Sequence, residues 1–245
     1  MTSTAVATAG SGRKVAIMQP YFLPYIGYFQ LINCVDRFVV YDNIKYTKKG
    51  WINRNRFLQN GSDAVFSLPL KKGADHLEVV QRELAADFDR DKLLNQIRGA
   101  YRKAPEFDAT FELLEEVIRQ PHSNLFDYLV ASIRIVCGHI GIDTPIVVSS
   151  TVPADHGLHA QDKVIAICEA LDADTYVNPI GGTSLYSSEA FHDRGMQLRF
   201  LRSRDIHYRQ FGQPFVPWLS IVDVLMFNPA AQVRRLLDEY DLVMT

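Results

Sequence analysis

Cysteine is scarce in this chain: three in 245 residues, Cys34, Cys137 and Cys168. None falls in C-x-x-C spacing, which argues against a zinc ribbon or a disulfide framework. Long apolar runs are missing too. No stretch approaches ~18 consecutive apolar residues, so no membrane span is expected. Charge of one sign is not in excess, and a formal net charge of −2 gives no global reason to expect nucleic acid. Neither G-x-G-x-x-G nor a P-loop occurs, so no nucleotide is specified by motif. What is present, 47% hydrophobic and 22% charged residues, is the composition of a globular cytoplasmic protein. The small residues of 1–12, MTSTAVATAGSG, read as a disordered leader, and 13–245 as a single domain.

The chain is organised around residues 14–55. A short apolar run, Val15-Ala16-Ile17-Met18, breaks at Gln19-Pro20. A turn punctuated by Pro20, Pro24 and Gly27 leads into a helix with Ile26, Phe29 and Ile32 on its face. A second apolar run, Phe38-Val39-Val40-Tyr41, stops at Asp42. Strand, helix, strand is the pattern of a parallel βαβ unit, and open parallel sheets bind ligands at the carboxyl ends of their strands. Gln19 and Asp42 stand at those ends, with Tyr21, Tyr25, Tyr28, Tyr41, Tyr46 and Trp51 between and around them. This combination reads as a site.

Basic residues then dominate. From 43 to 72 there are Lys45, Lys48, Lys49, Arg54, Arg56, Lys71 and Lys72 against one acid, Asp63. One-signed charge beside strand ends suits a phosphate. Within this segment Trp51 to Phe57 alternates as a half-buried strand, with Asn53 and Asn55 on the aromatic side. Asparagine is depleted from strands, so these two either order a loop or bind a ligand. A further strand is expected at 64–69, and 77–84 reads as a short edge strand with helix as the alternative.

Spacings of three and four mark amphipathic helices over 90–102, 107–118 and from Pro121 to near Gly141, a helical block (88–142) on the sheet. A strand at 145–150 ends in Ser149-Ser150, a helix follows at 160–171, and a strand at 174–178 runs into Asn178-Pro179-Ile180-Gly181-Gly182. Paired glycines before a short helix at 187–194 expose backbone N–H groups to an anion. The H-x-x-H of His156 and His159 has no carboxylate in helical spacing and is not read as a metal site. A last strand, 196–201, leads to a polar cluster in which His207 is the leading candidate for general acid–base work. Ser220 and Asp223 form an S-x-x-D pair close to a capping box, and Asp223 is kept among the binding candidates. A terminal helix is expected over 229–240. The alternation gives an α/β fold with a mostly parallel sheet and flanking helices.

QPYFLPYIGYF, D-x-F-V-x-x-D, W-x-N-R-N, YRKAPEF, DADTYVNPIGGTSLY and PFVPWLSIVDVL together resemble the WbqC-like family of bacterial proteins. The resemblance covers nearly the whole chain after the leader. One departure is Asn178-Pro179, where the family pattern usually has serine-glycine. Members are associated with O-antigen, surface-sugar and natural-product gene clusters. The resemblance implies transfer of a glycyl or aminoacyl group to an amino group. The Tyr25-Ile26-Gly27-Tyr28 turn also stands where adenylyl-transferring α/β enzymes carry H-x-G-H, so the fold analogy extends to nucleotidyltransferase-like Rossmann folds without their histidine-assisted chemistry.

On that expectation Asp42 or His207 is the base for an amine acceptor. Asn53, Arg54, Tyr101 or the Gly181-Gly182 amides are oxyanion donors. Lys45, Lys48 and Lys49 hold the phosphate of a donor, either a phosphopantetheine thioester on an acyl or peptidyl carrier protein or an ATP-activated acid. A non-catalytic ligand-binding or assembly protein using the same cleft is the alternative.

Overall fold

A computed structural model describes residues 13–212 and 214–244. The expected leader, 1–12, lies outside the described residues.

Strand β1 (Lys14–Met18), helix α1 (Ile26–Asn33) and strand β2 (Arg37–Val40) form the expected βαβ unit, with β1 and β2 parallel. Strand β5 (Ile146–Val148) adds to β2, while β6 (Thr175–Pro179) and β7 (Gln197–Ser203) add in parallel on the other side of β1. The sheet order is β5-β2-β1-β6-β7, with a last strand, β8 (Tyr240–Val243), at the edge beside β7. The chain thus builds outward from β1 in one direction, then returns to build in the other. The switch point falls between β1 and β6, where the crossovers diverge.

The period of two along each strand divides the core. Ala16, Phe38, Val40, Val177 and Leu201 face one side; Val15, Ile17, Val39, Tyr176 and Phe200 face the other. The first side carries α1 and the helical block, α2 (Arg90–Tyr101), α3 (Phe107–Arg119) and α4 (Leu125–Ile140). The second carries α5 (Ala160–Ala170) and the short α6 (Ser188–His192). Every residue of α1 from Ile26 to Ile32 is buried, including Gln30. Its amide is satisfied there: Nε2 donates to Leu236 O and Glu239 O, and Oε1 accepts from Ser203 Oγ at 2.6 Å. Gln30 therefore ties the end of β7 to the carboxyl-terminal segment.

Three expectations are corrected. The strand predicted from Trp51 starts at Arg54: β3 (Arg54–Gln59) and β4 (Ser62–Ser67) make an antiparallel hairpin that forms its own two-stranded sheet. The segment at 77–84 is a 3-10 turn (Val79–Gln81) with isolated bridges at Glu78, Glu83 and Leu84. Helices α7 (Ile221–Phe227) and α8 (Ala230–Leu236) close the chain, but the expected helix stops early. The chain turns back as β8 (Tyr240–Val243), antiparallel to β7. Among the described residues no helix is long and apolar enough to cross a membrane.

All three cysteines are buried, and burial pushes each thiol up to about 12. Native protein should therefore react with an alkylating agent far more slowly than unfolded protein. Rapid labelling of Cys137 or Cys168 in the native protein would instead show an accessible, activated thiol.

Candidate functional site

Parallel pairing puts Gln19, Asp42 and Asn178 on the same edge of the sheet, at the ends of β1, β2 and β6. Each takes part in the protein's own hydrogen bonds, Gln19 through its backbone carbonyl. Gln19 O accepts from Tyr28 Oη at 2.9 Å, which points the buried Tyr28 phenol inward. Asp42 Oδ1 accepts from Ser149 Oγ at 2.9 Å and from Ser150 N at 3.0 Å. Burial works to raise the Asp42 carboxyl, but the Ser150 and Ser149 hydrogen bonds outweigh it and hold the group below the usual aspartate range. A lowered pKa makes a weak base. Beside it, Asn43 takes up Ser149 Oγ, Lys163 Nζ and His156 Nδ1, so Ser149, Lys163 and His156 brace the β2–β5 edge.

Asn178 Oδ1 accepts from Tyr176 Oη at 3.0 Å, and its amide lies so close to Gly182 that a side chain there would overlap it. Gly181 and Gly182 sit in a 3-10 turn (Ile180–Leu185), while α6 starts only at Ser188, with Ser187 as its N-cap. The short helix starts where it is expected, and the glycines lie ahead of it in a 3-10 turn of their own.

The two asparagines of W-x-N-R-N order loops. Asn53 accepts from Tyr46 Oη and donates to Leu68 O, both at 2.8 Å. Asn55 is buried; its Nδ2 donates to Phe22 O and Leu23 O, and its Oδ1 accepts from Arg56 N. Leu23 has a φ of +43°, a left-handed conformation that costs an L-residue energy, and Ser220 Oγ also donates to its carbonyl. The Q-P-Y-F-L-P turn is thus clamped from the hairpin on one side and from α7 on the other. Gly27 is required beside it: a Cβ there would come within about 2.5 Å of Tyr25 Cζ and Oη, so only glycine lets the Tyr25 ring lie across the start of α1.

Tyr25 and Trp218 separate two cavities. The first, about 250 Å³, is walled by Tyr25, Ser203, His207, Tyr208, Phe215 and Trp218 at the carboxyl end of β7. The second, about 270 Å³, lies between Tyr21, Pro24, Tyr25, Trp51, Arg56 and Trp218. The rings of Tyr25 and Trp218 are 5.9 Å apart. Trp218 is 61% exposed and has a φ of +59°, unfavourable for a bulky L-residue. Arg56 holds it there. Arg56 Nη2 donates to Trp218 O at 3.1 Å, and the Arg56 guanidinium lies 5.4 Å from the Trp51 ring centre. His207 is exposed, with its ring 4.8 Å from that of Phe215.

Behind the first cavity Asp223 is fully buried. Tyr101 Oη donates to its Oδ1 at 2.8 Å; Tyr208 Oη and Gln210 Nε2 donate to its Oδ2 at 2.6 and 2.7 Å. Burial raises its carboxyl, and the three hydrogen bonds offset that only in part. Ser220 is the N-cap of α7, as its motif suggests, but the Asp223 side chain turns into the core. Tyr101 Oη also accepts from Leu58 N at 2.7 Å, so its phenol joins the hairpin to α7 and faces no cavity.

The basic segment divides. Lys45, Lys48 and Lys49 line a third cavity, about 310 Å³, with Tyr46, Asp75 and Arg82. Arg54 is not in it. Its Nε donates to Gly50 O at 2.9 Å and its Nη2 to Lys49 O at 2.7 Å, which fixes the lysine turn from behind.

The structure thus brings Tyr25 to His207, Tyr25 to Trp51, and the three lysines to one another. Gln19, Asp42, Asn53, Asn178, Gly181 and Gly182 line none of these three cavities. Sequence reasoning missed Trp218, Tyr208, Arg56 and Arg82 as wall residues. The Pro217-Trp218 step in PFVPWLS was a signal for the first; Arg82 carried none.

An open, mostly parallel α/β sheet with aromatic cavities at its carboxyl edge is the class of protein defined here. The chain belongs to the WbqC-like protein family, whose pattern it matches over residues 19–235. It is similar to the uncharacterized protein Rv1507c of Mycobacterium tuberculosis, 27% identical over 225 residues that cover 90% of this chain and 95% of the relative. No solved structure matches it.

Proposed function

We propose that this protein forms an amide by transferring a glycyl or aminoacyl group from an activated donor to the amine of a sugar or natural-product intermediate. The observation that supports this reading most is the shared cavity of His207 and Tyr25. The acceptor amine gives its proton to the His207 imidazole as its lone pair attacks the acyl carbon. The Tyr25 phenol, raised by burial against a Ser203 hydrogen bond, stays protonated and donates to the oxyanion. Collapse of the tetrahedral intermediate breaks the acyl–sulfur or acyl–phosphate bond; the remainder of the donor leaves, the thiolate taking the proton from the His207 imidazolium and a phosphate leaving it to solvent.

Binding without turnover is the second reading. It is favoured by Asp42, Asn53, Tyr101 and Asp223, all of whose side chains are engaged by other protein groups. Mass spectrometry of purified protein with an amino-sugar acceptor separates the two. One set of reactions supplies glycyl pantetheine and carrier-protein thioesters, another ATP plus glycine. The acceptor is expected to gain one glycyl residue in one set; no product in either set discards transfer and leaves a binding protein.

A further inference from the structure

We propose that the cavity between the 45–49 turn and Arg82 is a binding site for a phosphate ester, with the Arg82 guanidinium in its wall. Arg82 is only 6% exposed, and its Nε is buried with no hydrogen-bond partner. Its Nη2 makes one long bond, 3.3 Å to Lys71 O. Among the described residues no carboxylate lies within ion-pair distance of it. Asp75 lies in the same wall and feels the Arg82 charge, but it pairs with Lys48; a guanidinium buried without a carboxylate in direct contact is costly, and an anion seated beside it lowers that cost.

The surroundings have the same sign. Lys45, Lys48 and Lys49 share the cavity with Arg82, and the one carboxylate there, Asp75, is already joined to Lys48 at 2.5 Å. Four cations against one acid suit a group carrying more than one negative charge, which favours a phosphate ester over a carboxylate.

The site is also held in shape. The Arg82 guanidinium lies 4.8 Å from the Tyr46 ring centre, and Tyr46 is fixed through its hydroxyl to Asn53. Arg54 fixes the lysine turn through the Lys49 and Gly50 carbonyls. On the far side the backbone passes so near that a Cβ at Gly73 would come 2.6 Å from Arg82 Nη1. Groups ordered before the ligand arrives lower the entropy lost on binding.

This inference deepens the transfer reading and rests on it only for the phosphate's role as the handle of an activated donor; binding itself requires no turnover. Calorimetry with inorganic pyrophosphate is the first measurement. Millimolar or tighter binding is expected, weakened by added salt. Lys45→Gln with Lys49→Gln should weaken it about tenfold, since each partly exposed lysine contributes up to about one factor of five. Arg82→Gln should abolish it; where that variant fails to fold, the lysine pair decides.

ATP and 4′-phosphopantetheine then distinguish the sources of the phosphate: preference for ATP points to a nucleotide-activated donor, preference for phosphopantetheine to a carrier arm. Absence of pyrophosphate binding, or binding that ignores the lysine substitutions, overturns the site. Pyrophosphate binding as expected with no amide product removes the transfer reading and leaves the site. Amide formation with wild-type donor KM in the lysine variant removes the handle role and leaves both transfer and the phosphate site.

Discussion

Asp223→Ala is expected to lower the free energy of unfolding by about 3 kcal/mol, the usual cost of removing one member of a buried charged hydrogen-bond set. For a chain of this size that is a fall in melting temperature of roughly 6–12 °C. The substitution strands the Tyr101 and Tyr208 hydroxyls and the Gln210 amide in the core. It also frees the segment after β7, because Gln210 both donates to Asp223 and exchanges hydrogen bonds with Val216. That segment carries His207, Phe215 and Trp218, so the first cavity should lose its ligand along with its shape.

Asp223→Asn keeps the volume and the acceptor oxygen and should cost about half as much. The difference between wild type and Asp223→Asn should depend on pH. Burial raises the folded-state carboxyl, so the native protein holds this proton more tightly than the unfolded chain. Its contribution is fullest below the unfolded pKa near ~4 and is lost as pH rises through the folded value. Asp42 has the opposite sign: hydrogen-bonded and lowered, it stabilises above ~4 and loses that effect on acidification. Urea melts of wild type and both Asp223 variants across acid and neutral pH measure this. An Asp223→Ala variant within about 0.5 kcal/mol of wild type would show that the buried set is not what holds the segment.

The frame of the fold was legible because its signals are local and contiguous. Val15 to Met18 and Phe38 to Tyr41 are apolar runs ended by polar residues, and the helical block repeats leucine, isoleucine and phenylalanine at spacings of three and four. β8 was not legible. Tyr240-Asp241-Leu242-Val243 continues a helical pattern, and only its pairing with Phe200 to Ser203 makes it a strand. The hairpin's separation from the main sheet is likewise a matter of pairing, which periodicity does not encode. In the site, the lysines at 45–49 were visible as charge density. Arg54 looked equivalent in the sequence, yet an arginine fork fits two backbone carbonyls as well as two phosphate oxygens, and the turn at Lys49 and Gly50 supplies the carbonyls. Arg82 lies far along the chain from the lysines, so its place beside them follows from the path through the hairpin. Asp223 sits in a motif that explains Ser220 but says nothing of where the carboxylate points.

His207→Gln is the sharper test of chemistry, because it separates from stability. An exposed ring away from the buried core should change unfolding by no more than about 0.5 kcal/mol. If His207 takes the amine proton, turnover should fall by roughly 10²–10⁴ with KM for both substrates little changed, since the lost interaction exists only in the transition state. Phe215→Leu should act more weakly on the same quantity, because the Phe215 ring packs 4.8 Å from the imidazole and sets where it points. Tyr25→Phe should also lower kcat, by the loss of one oxyanion donor, about 10²–10³. The two groups face one cavity from the turn before α1 and from the segment after β7, so their effects should be less than additive when combined. Stable His207→Gln protein with wild-type kcat would remove the histidine from the reaction.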